Sequence, residues 1–356
     1  TSTCIFKILI CLKTRNAILI SPHPTAKRCT IEAARIMKEA AEKAGLPENI
    51  ICWMDESSIE MTQVMMREVN LILATGGAGM VKAAYSSGTP AIGVGPGNCN
   101  VIFDDSCDIK NAVSSTIHSK TFDNCAAEQH VTVLDSIYDK VKKEFQDNRC
   151  YFLNQEEAVK IGEVFFNAAT HGVKATAVGR SPAQLAAMAG IQIPEGTKVL
   201  IAETDDLSHD NPWANEKLCP VLGMYRAKTF EQALDICYKL VSEGGAGHSG
   251  ALYVDPTERE KIDAFGAKMQ TARVLINMPT SFGGIGDLYN FDTAPSLTLG
   301  PGSWGGSSFA GQTNIHQLLN IKTVAERREN MLWLRLPEKV YFKKGCTPVA
   351  LRELKD

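Results

Sequence analysis

Short apolar runs alternate with amphipathic stretches along the first hundred residues. Asn16–Ser21 (NAILIS) is an apolar run bounded by polar residues and predicts a buried strand. Thr30 is set to cap a helix whose apolar positions Ile31, Ala34, Met37, Ala41 and Ala44 recur at helical spacing, with Gly45 just past its end. Glu48–Trp53 predicts a second strand. Ser57 and Glu60 form a capping-box pair opening a helix that carries Ile59 and Met66. Asn70–Thr75 (NLILAT) predicts a third strand running into Gly76, Gly77 and Gly79. A helix over Met80–Tyr85 and a strand at Pro90–Val94 follow. This β-α-β-α-β-α-β order predicts a parallel sheet with right-handed crossovers.

Between Asp108 and Asp147, two helical stretches flank a strand at His130–Leu134. The alternation restarts beyond Asn154, with a helix to Ala169, another at Pro182–Ala189 and a strand at Thr197–Ala202. Strands at Val221–Arg226, Gly250–Val254 and Arg273–Asn277 then enclose helices at Phe230–Ser242 and Glu258–Thr271, a second α/β unit. Pro279–Gly311 is rich in Gly, Ser and Pro with interleaved aromatics and reads as an ordered loop system. Pro337–Asp356 reads as a short hairpin, Val340–Lys343 with its turn at Lys344–Gly345, and a fraying tail.

Composition narrows the function classes. With 37 Lys+Arg against 40 Asp+Glu, a net charge of −3 over 356 residues, there is no basic excess to hold nucleic acid. The length suits two domains. No run approaches the roughly 18 apolar residues of a membrane span. The most apolar early stretch, Cys4–Leu12, is interrupted by Lys7, so neither a signal peptide nor an anchor is read there. The eleven cysteines are odd in number, include no C-x-x-C and have no zinc spacing, which points to reduced thiols in a reducing compartment and to no metal site.

Several segments can carry chemistry. Gly76-Gly77-Ala78-Gly79 leaves a strand, where backbone N–H groups can meet a pyrophosphate at a helix N-terminus; a plain tight turn reads equally well. A second glycine run, Gly93 to Asn98, follows the next strand, and the two together suggest a nucleotide crevice at the carboxyl ends of the sheet. Cys125 lies at a turn junction where a helix N-terminus can lower a thiol pKa, or it is one more buried thiol. His248, amid glycines in Gly244–Gly250, suits a loop general acid/base or a satisfied loop histidine. His23, between two prolines, is rigidly held and can touch a ligand. Glu216 can accept hydrogen bonds from ribose hydroxyls. Taken singly, both also read as turn or surface residues.

Together these segments resemble the aldehyde dehydrogenase superfamily, and within it the CoA-acylating half of bifunctional aldehyde–alcohol dehydrogenases. The resemblance rests on LKTRNAILISPHP, NLILATGGAGMVKAAYSSGTPAIGVGPGN, SKTFDN followed by CAAEQ, EKLCPVLGMYRAKTFEQA, GGAGHSG, GGIGDLYNF, PSLTLGPGSWGG and NIKTVAERRENMLWLRLPEKVYF. It implies an α/β aldehyde dehydrogenase-like fold with a Rossmann-like cofactor domain, an α/β catalytic domain and an oligomerisation extension: an NAD-binding domain over 1–122, partly missing at its start, a catalytic domain over 123–310, and a return segment and the start of an inter-domain linker over 311–356. It implies the NADH-dependent reduction of acetyl-CoA to acetaldehyde and CoA, as in ethanol fermentation. Partners would be these small molecules and further copies of the chain, as dimers or filaments, in the cytoplasm. By motif, Cys125 matches the thioester-forming nucleophile and His248 the histidine of a G-H-T/S motif. Gly77, Gly95 and Glu216 match cofactor-contacting positions, and Leu299 one near the nicotinamide.

The glutamate base of hydrolytic relatives is replaced here by Gly93–Asn98, so CoA rather than water would accept the acyl group. Three departures stand out. Asn124 abuts Cys125, where the family has three more residues; this sequence starts after the family's Asn-Pro, whose Asn would serve an oxyanion hole; and it stops within what resembles the linker to the family's alcohol dehydrogenase half. They leave open an alternative, a truncated and impaired remnant acting only through self-association. An acyl-phosphate reductase is a third reading, opposed by GHSG and SWGG.

Overall fold

The first third folds as two pairs of short parallel strands backed by helices. The computed structural model describes residues 1–56, 58–122, 125–286 and 293–326. Its elements begin with α1 (Ser2–Lys13), β1 (Ile18–Ile20), α2 (Lys27–Lys43), β2 (Ile51–Trp53), α3 (Ile59–Glu68), β3 (Ile72–Thr75), α4 (Ala78–Ser86) and β4 (Ala91–Val94). β1 pairs with β2 and β3 with β4, both in parallel. The single sheet expected from the sequence is thus split into two pairs. One reason is visible at the free edge of β3: the Leu73 carbonyl there accepts the Lys7 ammonium of α1 at 2.7 Å instead of a strand N–H. Burial holds that lysine down at about 8.

Two caps differ from expectation. α2 starts three residues before Thr30, which is buried inside it, because a 3-10 turn capped by His23 leads directly into the helix. His23 is thereby a capping residue, its Nδ1 accepting the Thr25 N–H. α3 is capped by Ser58, whose hydroxyl accepts the Met61 N–H; Ser57 lies outside the described residues.

The region from residue 99 onward is built on one large sheet. Its elements are β5 (Cys99–Phe103), α5 (Ile109–Phe122), β6 (Glu128–Leu134), α6 (Tyr138–Asp147), β7 (Cys150–Phe152), α7 (Gln155–Phe165), β8 (Phe166–Asn167), β9 (Gly172–Val173), α8 (Pro182–Ala189), β10 (Val199–Glu203), β11 (Val221–Ala227), α9 (Phe230–Gly244), β12 (Gly247–Tyr253), α10 (Arg259–Lys268), β13 (Thr271–Ile276), α11 (Thr280–Ile285), β14 (Leu299–Pro301) and β15 (Ala310–Gln312). Seven strands pair in the order β13-β12-β5-β6-β11-β10-β7, all parallel. Strands β5, β6 and β12 are buried along their whole length, as a parallel sheet covered on both faces requires. The main core gathers on this sheet around Val101, Phe103, Val131, Phe145, Leu222 and Phe265.

Sheet membership changes at 95–98, so β5, which lies within the segment expected to form the first domain, belongs to the large sheet. The 279–311 loop system holds α11 and an antiparallel hairpin of β14 and β15. The chain divides into two units, Thr1–Leu318 and Leu319–Asp356. Of the second, residues 319–326 are described and hold no helix or strand. The hairpin expected at Val340–Lys343 lies outside the described residues. Among those residues, no helix is long and apolar enough to cross a membrane.

Candidate active site

Four residues, Gly95 to Asn98, join the carboxyl end of β4 to the amino end of β5. The site is built around them. A Cβ on Gly97 would lie 2.5 Å from the Cys125 carbonyl oxygen and 2.7 Å from Cγ of His248, so only glycine fits there. The Gly97 N–H donates to Glu216 Oε1 at 2.9 Å. Asn98 anchors the turn from below, its Nδ2 donating to the carbonyls of Ala214 (3.0 Å) and Leu240 (2.7 Å). Glu216 is aimed by its neighbour Lys217, which is fully buried. The Lys217 ammonium donates to the Gln129 carbonyl (2.9 Å), the Asn215 carbonyl (2.7 Å) and His130 Nε2 (3.2 Å).

Cys125 is half-buried in the turn before β6. The thiol is not lowered by a helix N-terminus, because a turn and then a strand follow it. Burial, reinforced by the nearby Glu216 carboxylate, pushes it up to about 12, and the Arg273 guanidinium pulls in the other direction. Asn124 lies outside the described residues.

His248 is the second residue of β12, not a loop residue, and is 1% exposed. The glycines around it serve close approach rather than flexibility. Gly247, at φ +95°, lies against the Pro301 carbonyl. His248 Nδ1 lies 3.1 Å from Ser249 Oγ and 3.7 Å from Cys99 Sγ. Its Nε2 has no hydrogen-bond partner among the described residues. Burial and the charge of Arg273 hold the ring well below the usual histidine range, so it is neutral at pH 7.

The structure therefore brings Cys125, His248 and Glu216 together around Gly97. Leu299 is buried beside them: its side chain lies 3.7 Å and Ser249 Oγ 3.5 Å from where a Cβ on Gly284 would stand. Gly77 and Gly95 sit at the carboxyl ends of β3 and β4. Gly77 precedes the nine-residue α4 as its N-cap, and a Cβ on either glycine would meet nothing within 4 Å. Among the described residues, no three His, Cys, Asp or Glu side chains gather as metal ligands.

Three residues of this cluster were not singled out by the sequence reading: Cys99, Ser249 and Arg273. Cys99, fully buried at the start of β5, is 3.6 Å from the Cys125 carbonyl. Arg273 donates through Nε to Ser249 Oγ at 3.1 Å, and through its terminal nitrogens to the Gly300 carbonyl and Gln312 Oε1 at 3.3 Å. A signal for it existed: a lone cation within the apolar strand TARVLI.

A sequence profile of the aldehyde dehydrogenase family matches residues 1–287. The chain is 55% identical over 360 residues to the aldehyde-alcohol dehydrogenase of Clostridium acetobutylicum, covering 100% of this chain and 42% of that protein. It thus spans less than half the length of that relative. It superposes on an acetylating aldehyde dehydrogenase from Geobacillus thermoglucosidasius with a TM-score of 0.84 at 40% identity, over 92% of this chain and 74% of that one. A propionaldehyde dehydrogenase from Rhodopseudomonas palustris, solved with bound CoA and an acylated cysteine, is similar with a TM-score of 0.72 at 25% identity, over 83% and 66%.

Proposed function

Since the chain belongs to the aldehyde dehydrogenase family, we propose that it performs that family's CoA-acylating chemistry, the reversible conversion of acetyl-CoA and NADH into acetaldehyde, CoA and NAD. The observation that carries this reading is the meeting of the Cys125 turn, the neutral His248 ring and the Glu216-held Gly97 at one point. The Rhodopseudomonas palustris relative, with its CoA and acylated cysteine, supports the same chemistry.

In this reading Cys125 Sγ, once deprotonated, attacks the thioester carbonyl. The carbon–sulfur bond to CoA breaks, CoA leaves with its electron pair and takes up a proton, and the acyl group stays on Cys125. The Arg273 charge favours the thiolate. His248 faces the reacting group as a neutral ring. Gly77 and Gly95, with open space beside their α-carbons, would let a dinucleotide pyrophosphate approach the N-terminus of α4, and the residues present fit that group. Leu299 would lie at its nicotinamide end. The nicotinamide, when bound, supplies or accepts the hydride.

The coarser choice, a nicotinamide dinucleotide, rests on the family; NAD in particular is our assignment. We also assign the chain to the cytoplasm and to self-association. Every cysteine among the described residues is a free thiol, in keeping with a reducing compartment.

The test is direct. Incubation with acetyl-CoA alone should place one acetyl group on Cys125, seen by mass spectrometry and lost in Cys125→Ala. Cys125→Ser should abolish NADH oxidation by acetyl-CoA while the fold persists. Unchanged turnover in that variant would reject the assignment.

A further inference from the structure

The proton on His248 has a determinable position. Ser249 and Arg273 are register partners on the adjacent strands β12 and β13, and Arg273 Nε lies 3.1 Å from Ser249 Oγ. A guanidinium only donates, so Ser249 Oγ accepts in that bond. Among the described residues, the one remaining hydrogen-bond contact of this hydroxyl is His248 Nδ1, at 3.1 Å. If Nδ1 were the donor, the Ser249 proton would have no acceptor among the described residues, in a site where Ser249 is 1% exposed. That arrangement would leave two buried groups without partners among the described residues, the hydroxyl proton and a bare Nε2, whereas a proton on Nε2 leaves only that one N–H unpaired and costs less. The Cys99 thiol, 3.7 Å from the same nitrogen, has its single proton within reach of the Cys125 carbonyl at 3.6 Å, so the Ser249 hydroxyl is the donor to Nδ1. The guanidinium is itself held by the Gly300 carbonyl and Gln312 Oε1. Gln312 in turn donates to the Gly284 carbonyl at 2.6 Å. The guanidinium's aim at Ser249 is therefore fixed by two further acceptors, one of them itself anchored.

We propose that Arg273 and Ser249 are positioning residues that act through His248. The guanidinium orients the Ser249 hydroxyl, the hydroxyl donates to Nδ1, and the ring is locked as the tautomer carrying its proton on Nε2. The Nε2–H, buried and without a partner among the described residues, is then a fixed donor in the cluster that holds Cys125. Such a donor polarises an acyl oxygen or meets a leaving sulfur; it cannot take the Cys125 proton. The effect on catalysis rests on the function proposed above, but the tautomer does not.

The experiment is nitrogen NMR on protein labelled with 15N-histidine, with His248 identified by its disappearance in His248→Gln. Protonated and bare ring nitrogens resonate far apart, so the two tautomers are told apart directly. The wild type should show a bare Nδ1 and a protonated Nε2. Ser249→Ala should mix or reverse the tautomers, and Ser249→Thr, which keeps the hydroxyl, should restore the wild-type pattern. In the acetyl-CoA assay, Ser249→Ala should lower kcat roughly tenfold or more with little change in KM, and Ser249→Thr should recover it. A protonated Nδ1 in the wild type would overturn the proposal, and so would an unchanged tautomer in a folded Ser249→Ala variant. The wild-type spectrum decides even if that variant does not fold. An enzymatically inert protein with Nε2 protonated would refute the reaction and uphold the positioning.

Discussion

Gly97→Ala is the sharpest single perturbation of this site. The added methyl would stand 2.5 Å from the Cys125 carbonyl oxygen and 2.7 Å from Cγ of His248. Both are about 1 Å inside ordinary contact distance. Neither neighbour is the free end of a flexible side chain: one is backbone and the other a ring on a buried strand. Relief therefore means moving the Cys125 peptide, the Gly97 turn, or both. Moving the turn strains its 2.9 Å bond to Glu216 and the two Asn98 anchors. Overpacking of this kind costs about 1–3 kcal/mol. A reacting atom displaced by about 1 Å loses on the order of a hundredfold in rate. The assay is cofactor-free acetylation of Cys125 by acetyl-CoA, timed by mass spectrometry, beside a urea melt. Gly95→Ala is the stability control, because a Cβ there meets nothing within 4 Å. If Gly97→Ala acylates at the wild-type rate with an unchanged urea midpoint, the packing argument for this site is refuted. Equal destabilisation by the two substitutions would refute it as well.

Three further outcomes follow from single groups in the fold. With its thiol pushed up to about 12, Cys125 should be alkylated by iodoacetamide about tenfold faster for each pH unit from 7 to 10; a plateau below pH 8 would contradict its environment. Glu128, fully buried and raised to about 7, holds its proton more tightly folded than unfolded, so its contribution is complete below about pH 4 and is lost as pH rises to about 7. That loss is on the order of 3 kcal/mol, and Glu128→Gln, which keeps an acceptor for the Thr280 N–H, should remove it; equal pH dependence of the two urea midpoints would refute this. Tyr85 accepts the N–H groups of Gly93 (2.8 Å) and Ser308 (2.9 Å), tying β4 to the chain before β15, so Tyr85→Phe should cost about 1–2 kcal/mol in a urea melt, and an unchanged midpoint would mean water replaces both bonds.

Elements with strong local signals were legible in the sequence. Pro182–Ala189 is found with its expected bounds because Ser181 and Gln184 form a full capping box and Pro182 starts the first turn. Ile72–Thr75 and its glycine exit were equally plain. The strand β5 was not, although it is central to the sheet. All of its residues are buried, so CNVIF shows no alternation, and it begins immediately behind a glycine run that reads as a loop. His248 was misplaced for the same reason. Glycine in a strand can mark close backbone approach as well as flexibility, and only the partner, here the Pro301 carbonyl, distinguishes them. Ser249 and Arg273 are separated by 24 positions. Their contact exists because β12 and β13 pair in register, which no local periodicity encodes.

The placement of the site at opposite strand ends has a topological cause. A dinucleotide crevice in a parallel α/β sheet lies at the carboxyl ends of its strands. Gly77 and Gly95 occupy that side of β3 and β4. Cys125, Cys99 and His248, by contrast, come from the amino ends of β6, β5 and β12, and Arg273 from near the amino end of β13. One parallel sheet cannot bring its two ends to the same point. Two sheets joined head to tail can, and the joint has to be short. Val94 and Cys99, five steps apart across this joint, can be separated by at most about 18 Å when the chain is extended. That bound keeps the end of β4 beside the start of β5 whatever the surrounding loops do. It also explains the glycines of the joint: Gly97 must pass between a backbone carbonyl and an imidazole, while Gly95 must leave its flank open. The glycine run that reads in the sequence as one more phosphate loop is therefore the joint between the β3–β4 pair and the large sheet, and its Gly97 is where the Cys125 turn and the His248 ring meet.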